Sequence, residues 1–221
     1  AKKYMSSHFL SYSVNSRFTV GIYESVIWKN NHAIGANGFD INYLNPIIFF
    51  RPVEFSINSP DNILMGLNLK YKFNSRSFLF SQLLLDEFRL ADLRERNNHF
   101  ANKYGYQIGY KCYDFLSLHN LTLHIERNNV RPYTYSHWND ANYGHYNEEL
   151  AHPLGANFQE AVGFIRYKYK RHKLSLKAVW SEAGKDTMNV NHGGNIFLSY
   201  NTNKIDPDGD GEFTGNTLGQ G

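Results

Sequence analysis

The chain has 221 residues, room for one large β-domain or two small ones, and its formal charge of +3 is well short of what a nucleic-acid binder carries. Tyr and Phe stand at 16 each, a load that favours strands over helices, and the single Cys112 excludes an internal disulfide. No apolar run approaches the roughly 18 residues of a spanning helix, whereas a spanning β-barrel stays open because its strands need only about 10 residues, half of them polar.

The chain begins AKKYMSSHF without a signal-peptide pattern, so a removed signal or a missing upstream part is expected. Residues 8–14 and 17–28 are predicted to form the first strand pair, joined at Asn15-Ser16. In the second of these, Phe18, Val20, Ile22, Val26 and Trp28 alternate with Arg17, Thr19, Gly21 and Ser25, and Glu24 interrupts the apolar side. Pro46, Pro52 and Pro60 argue against one continuous strand in the connection 29–62, where a short helix ending before Pro52 is one reading.

The clearest strand is 63–73: Ile63, Met65, Leu67, Leu69, Tyr71 and Phe73 against Gly66, Asn68, Lys70 and Lys72. The turn NSRS leads to 78–88, where Leu83, Leu84 and Leu85 spoil the alternation, and the charged stretch 89–103 reads as a short helix or a solvated loop. Further strands are predicted at 104–113, 119–129, 160–170 and 173–182, with a last one near 196–201. Between 131 and 158 lies RPYTYSHWNDANYGHYNEELAHPLGANF, which sustains neither a strand nor a helix period and is read as one long aromatic loop.

Connections near 15–16, 74–77, 114–118 and 171–172 are short, and those at 29–62, 89–103, 131–159 and 183–193 are longer, in strict alternation. In an up-and-down antiparallel sheet, alternate connections lie at opposite ends, so one end is clipped and the other elaborated. The predicted fold is all-β: an antiparallel up-and-down transmembrane β-barrel, or a large part of one, with short periplasmic turns and long extracellular loops in the bacterial outer membrane. Tyr71, Phe73, Phe78, Phe80, Tyr167 and Tyr169 suit an interfacial girdle, and Lys70, Lys72, Lys111, Arg166, Lys168, Lys170 and Lys177 suit a watery lumen. A soluble β-sandwich or lipocalin-like barrel would alternate in the same way and is the competing reading. About nine strands are expected, an odd number that cannot close with both termini on the periplasmic side, so residues 1–221 are read as one incomplete barrel domain.

With NGFDINYLNPIIFFRPVEF, SPDNILMGLNLKYKF, QLLLDEF, NKYGYQIGYK and NIFLSY, the run RPYTYSH…NYGHYN…LAHPLGANF resembles the Bacteroidetes branch of the Wzi-type capsule assembly family, which includes RemB-like gliding-motility proteins. The resemblance covers about residues 9–200 and implies a larger outer-membrane barrel acting as a surface lectin for capsular or other exported polysaccharide. Members of that branch are also associated with gliding and surface secretion. A structural component of such an envelope complex, without sugar binding, is therefore the alternative. No enzymatic activity is expected.

The expected carbohydrate-binding residues are Tyr133, Tyr135, His137, Trp138, Tyr143, His145, Tyr146 and Asn147. Aromatic faces stack on the C–H faces of pyranose rings, and Asn and His exchange hydrogen bonds with hydroxyls. The competing reading is a self-packed loop that caps the barrel. His145, Glu149 and His152 share a face only on a helix, which Gly144 and Pro153 confine to about two turns, so hydrogen-bonded loop residues are expected rather than a zinc site. Asp140, Glu148 and Glu149 have no fixed separation that would mark a glycosidase pair. Asp206, Asp208 and Asp210 occupy positions 1, 3 and 5 of a calcium loop, with Thr217 where an EF-hand needs Glu, so the reading is a partial Ca2+ loop or an acidic turn. The expected partners are outer-membrane lipid, surface polysaccharide and other envelope proteins, with no nucleic acid.

Overall fold

Two runs of the same sequence, Asn15-Ser16-Arg17 and Asn74-Ser75-Arg76, close two hairpins in the same way. The Asn15 Oδ1 accepts from the backbone N–H groups of Arg17 and Phe18, both at 2.8 Å. The Asn74 Oδ1 accepts from Arg76 and Ser77 at 2.8 and 2.9 Å. A short side-chain acceptor that satisfies the donors two and three residues on turns the chain without a long loop.

The protein is described as a computed structural model covering residues 2–29, 41–45, 61–87, 94–95, 97–209, 211 and 213–220. Its strands are β1 (Lys3–Ser13), β2 (Phe18–Lys29), β3 (Asn62–Lys72), β4 (Ser77–Glu87), β5 (Lys103–Tyr113), β6 (Leu121–Val130), β7 (Gly144–His145), β8 (Glu148–Glu149), β9 (Phe158–Tyr169) and β10 (His172–Ala183). Eight form one antiparallel up-and-down sheet in the order β1-β2-β3-β4-β5-β6-β9-β10, while β7 and β8 make a separate small hairpin. The alternation of apolar and polar residues anticipates seven of these long strands to within about two residues, whereas β1 starts at Lys3 and not at the expected His8. The sheet is open. Among the described residues neither β1 nor β10 has a second neighbour.

Among the described residues eight strands, not nine, form the sheet, because the stretch expected to be a strand at 196–201 is a series of turns. Ile196 is apolar for another reason: it is buried in the core cluster with Leu64, Leu84, Val130, Tyr135, Ala156 and Phe158. The same cluster explains the three consecutive leucines of β4. Leu84 faces the core while Leu83 is exposed on the opposite side, and a register shift follows between Leu85 and Glu87. The helix considered before Pro52 falls outside the described residues, as does most of 89–96, of which only Arg94 and Glu95 are described, in a helical conformation.

Register assigns every strand residue to one of two faces, because directly opposed residues share a side. Leu10, Ile22, Leu67, Leu83 and Tyr106 form one row across five strands, and all are exposed. Ile108, Ile125, Ile165 and Leu176 carry this apolar face across the remaining strands, also exposed. The opposite face holds a row of polar residues, Asn68, Gln82, Gln107, Asn128 and Glu160, again in register. Towards the short turns it carries cations beside aromatics, with Lys70 Nζ 4.4 Å from the Phe78 ring and Lys177 Nζ 5.4 Å from Phe164. Glu24 is an exception to the apolar pattern: it lies on the apolar face opposite His8 and Met65 and is buried.

At the end with long connections the sheet is covered on both sides. Tyr23, Gly66, Leu84, Gly105, Val130 and Phe158 form a register row near that end of the polar face, and the loop 131–157 packs on it. On the apolar side, Tyr43 from the short 3-10 turn Ile41–Leu44 packs with Val26, Trp28 and Ile63. The clipped end stays exposed.

Candidate functional site

Arg131 fixes where the long loop starts. Its Nε donates to the Asn102 carbonyl at 3.0 Å, and its two terminal nitrogens reach Asn98 Oδ1 and the Asn216 carbonyl, both at 3.2 Å. One buried guanidinium therefore ties together the loop, the segment before β5 and the C-terminal tail. Burial pulls its pKa down from the ordinary arginine value, with Tyr104 opposing that shift.

The next aromatics form the inside of a cap. Tyr133 is fully buried; its N–H donates to the Gly193 carbonyl at 2.9 Å and its hydroxyl to the Asn191 carbonyl at 2.6 Å. The Tyr135 N–H donates to the buried Asp86 Oδ2 at 2.7 Å, and its ring stacks on Tyr143. Both tyrosines have positive φ, 64° and 71°, a conformation that costs a bulky residue about 1–3 kcal/mol and persists only when surroundings over-determine it. Gly193 approaches Tyr133 so closely that a Cβ there would overlap the tyrosine backbone. Burial pushes the hydroxyl pKa of both tyrosines up. His137 is buried against Asn139, with Nδ1 2.9 Å from Oδ1, and burial lowers its pKa below the ordinary histidine value. The fully buried Lys103 supports this core: it pairs with Glu87 at 3.0 Å and sits 3.8 Å from the Tyr200 ring centroid.

Beyond Ala141 the loop turns outward. Tyr146 and Asn147, at φ 49° and 62°, form the tip of the β7–β8 hairpin, as a two-residue turn with both central residues left-handed requires. Tyr146 is 90% exposed, its ring 4.3 Å from that of His145, and Trp138 is 47% exposed. A hollow of 680 Å³ beside the hairpin is lined by Lys2, Lys3, Asp140, Asn142, His145, Tyr146, Asn147 and Phe197, among others. Lys3 Nζ donates to Asn142 Oδ1 at 2.6 Å and its carbonyl at 3.1 Å, and Lys29 pairs with Asp140, whose pKa this contact lowers.

The structure thus divides the eight expected sugar-binding residues. His145, Tyr146 and Asn147 meet at the hollow and Trp138 is exposed elsewhere on the cap, whereas Tyr133, Tyr135 and His137 are internal and Tyr143 is half-buried between. Lys2, Lys3 and Phe197 carry no sequence signal for this site, since β1 pairing and the tail bring them from 50 or more positions away.

A second hollow, of 380 Å³, lies between the polar row of the sheet and the underside of the loop, lined by Asn68, Gln82, Gln107, Asn128, Tyr135, Tyr143 and His152 among others. Gln107 donates to Asn128 at 2.9 Å, Asn128 to Glu160 at 3.1 Å, and His152 Nε2 lies 3.1 Å from the same Glu160 oxygen. His152 is therefore engaged with Glu160 and stacked on Phe158, while His145 and Glu149 sit on the hairpin. Among the described residues no three or more His, Cys, Asp or Glu are grouped to hold a metal ion.

In the acidic tail, Asp206 Oδ2 accepts from the Gly211 N–H at 2.8 Å and Asp208 Oδ2 from the Thr214 hydroxyl at 2.9 Å. Asp210, the third expected calcium ligand, lies outside the described residues. The resemblance to the Wzi-type family rests on the motifs quoted above alone. No family model matches the chain, and neither the curated proteins nor the solved structures contain a match.

Proposed function

We propose that the chain is an outer-membrane β-barrel, or a large part of one, that binds or organises cell-surface polysaccharide through the long-connection end of its sheet. What supports the membrane half is the apolar face: exposed aliphatic side chains on all eight long strands, opposite a face of amides and cations. Monomeric proteins in water rarely expose a contiguous apolar patch of more than a few hundred Å². Towards hydrocarbon, this face needs no further cover. The open edges of β1 and β10 then take further strands to close the barrel, since an unpaired edge has no solvent partner in lipid. The reading is non-enzymatic.

What supports the sugar half is the division of the loop into a rigid inside and an aromatic, amide-rich rim. Tyr146 offers a ring face, Asn147 and His145 offer hydrogen bonds, and Asp140 and Asn142 are held in place by Lys29 and Lys3. Trp138→Ala combined with Tyr146→Ala is expected to lower retention of extracted surface glycan several-fold in a pull-down, with the protein still in the membrane fraction. Undiminished retention would remove the lectin role and leave the second reading, a structural part of a gliding or secretion complex. That reading is favoured by the same unpaired edges, which offer backbone donors and acceptors to another chain.

A further inference from the structure

The apolar face is not level. Along one register row, Tyr110, Ile125, Gly163 and Ala178 stand side by side on β5, β6, β9 and β10, so two large side chains are followed by none and by a single methyl. The face sinks there into a groove of 630 Å³, bounded by Ile108, Ile125 and Trp180. A Cβ built on Gly163 would meet only Ile125, at 4.0 Å, so the floor is open space.

One residue on this groove is charged on the apolar side. Arg127 lies in the adjacent row, aligned with Ala161 and Trp180, on the side of the long connections. Its Nε donates to Asn129 Oδ1 at 3.2 Å and its Nη2 to Gln159 Oε1 at 2.7 Å, both neutral acceptors. Gln159 passes its own amide hydrogen to Glu182 at 2.6 Å, so the nearest carboxylate of this chain of contacts is one amide removed. Among the described residues no carboxylate pairs with Arg127, and its remaining N–H donors form a fork suited to a phosphate.

We propose that this groove holds one acyl chain of a phosphate-bearing anionic lipid, with the lipid phosphate on the Arg127 guanidinium. The proposal rests on the reading of the apolar face as lipid-facing and adds to it a preferred lipid. Charge complementarity selects the headgroup: a lone cation at the head of a greasy slot favours a net anionic lipid over a zwitterionic one. The depth selects the tail, since a slot one side chain deep and continuous with an apolar face fits a single hydrocarbon chain.

Trp180 lines the groove and is one of three tryptophans, which makes it a reporter. The experiment reconstitutes the Trp28→Phe, Trp138→Phe protein into vesicles containing either phosphatidylglycerol or phosphatidylcholine with brominated acyl chains at equal mole fraction, and reads Trp180 quenching. Quenching by the brominated anionic lipid is expected to exceed that by the zwitterionic one several-fold. Arg127→Gln should equalise the two, and Gly163→Leu, which fills the floor, should remove the excess while Arg127 is retained. Equal quenching in the parent would overturn the site and leave the lipid-facing reading standing. Absence of quenching by either lipid would overturn that reading and the site with it.

Discussion

Burying an imidazole away from any carboxylate contact makes its neutral form part of the fold, and among the described residues His137 is held in that way. Burial is the largest cause of its lowered pKa; Lys103 adds to the depression, while Asn139, Glu87 and Asp61 oppose it. The sign follows. As pH falls below about 6.5 the unfolded loop takes up a proton that the folded loop refuses. Stability that is full above that pH is therefore lost on acidification, until the folded imidazole itself is protonated. Denaturant midpoints followed through Trp138, whose ring lies 5.7 Å from His137, should fall between about pH 7.5 and about pH 5. His137→Gln should flatten that part of the slope, and an unchanged slope in the variant would place the titration elsewhere. The sequence made His137 visible only as a member of an aromatic loop. Its burial depends on Lys103 and Tyr200, which are remote in the chain, and on tyrosines in left-handed conformations that no residue preference announces.

At the scale of strands, two glycines carry a partner's ring instead of a side chain. Tyr23 lies across Gly66 and Phe80 across Gly109, each pair directly opposed in the register, and a Cβ on either glycine would overlap the ring. The ring covers the backbone of the neighbouring strand, a device that pins register in curved sheets. Gly109→Ala should therefore destabilise by about 1–3 kcal/mol, the usual cost of overpacking. Phe80→Leu should recover part of that loss when the two are combined, although alone it also destabilises. Denaturation of the four proteins gives the coupling directly, and strict additivity would show that ring and glycine do not meet.

This element scale is where the sequence is most legible. Period-2 alternation and the repeated Asn-Ser-Arg turn predict eight strands and their order, because both signals are local. The expected ninth strand fails for the same reason that Leu84 spoils its own alternation: Ile196 and Leu84 are apolar because they meet in the core cluster. Local pattern cannot distinguish a residue that faces lipid from one that faces a folded loop.

For the whole molecule, the question is which side of the sheet meets water. If the polar face lines a lumen and the apolar face meets hydrocarbon, the cap must pack on the polar face, as loop 131–157 does through Tyr135 and Ala156, with Ile196 from the later turns joining the same cluster. A soluble sandwich would instead lay its cover over Ile108, Ile125 and Ile165, which are exposed. Two neighbouring residues separate these cases, since Gln107 and Ile108 point to opposite faces of β5. Ile108→Lys places an ammonium on the apolar face, where a lipid-facing position near mid-bilayer costs about 2–4 kcal/mol. Gln107→Lys places the same charge on the polar face, which already carries Lys70, Lys111 and Lys177. Folding into vesicles, read by protease protection, is expected to fall in Ile108→Lys and to stay near the parent level in Gln107→Lys. If Ile108→Lys instead folds in buffer without lipid, and is more soluble than the parent, the apolar face meets water and the membrane assignment is wrong.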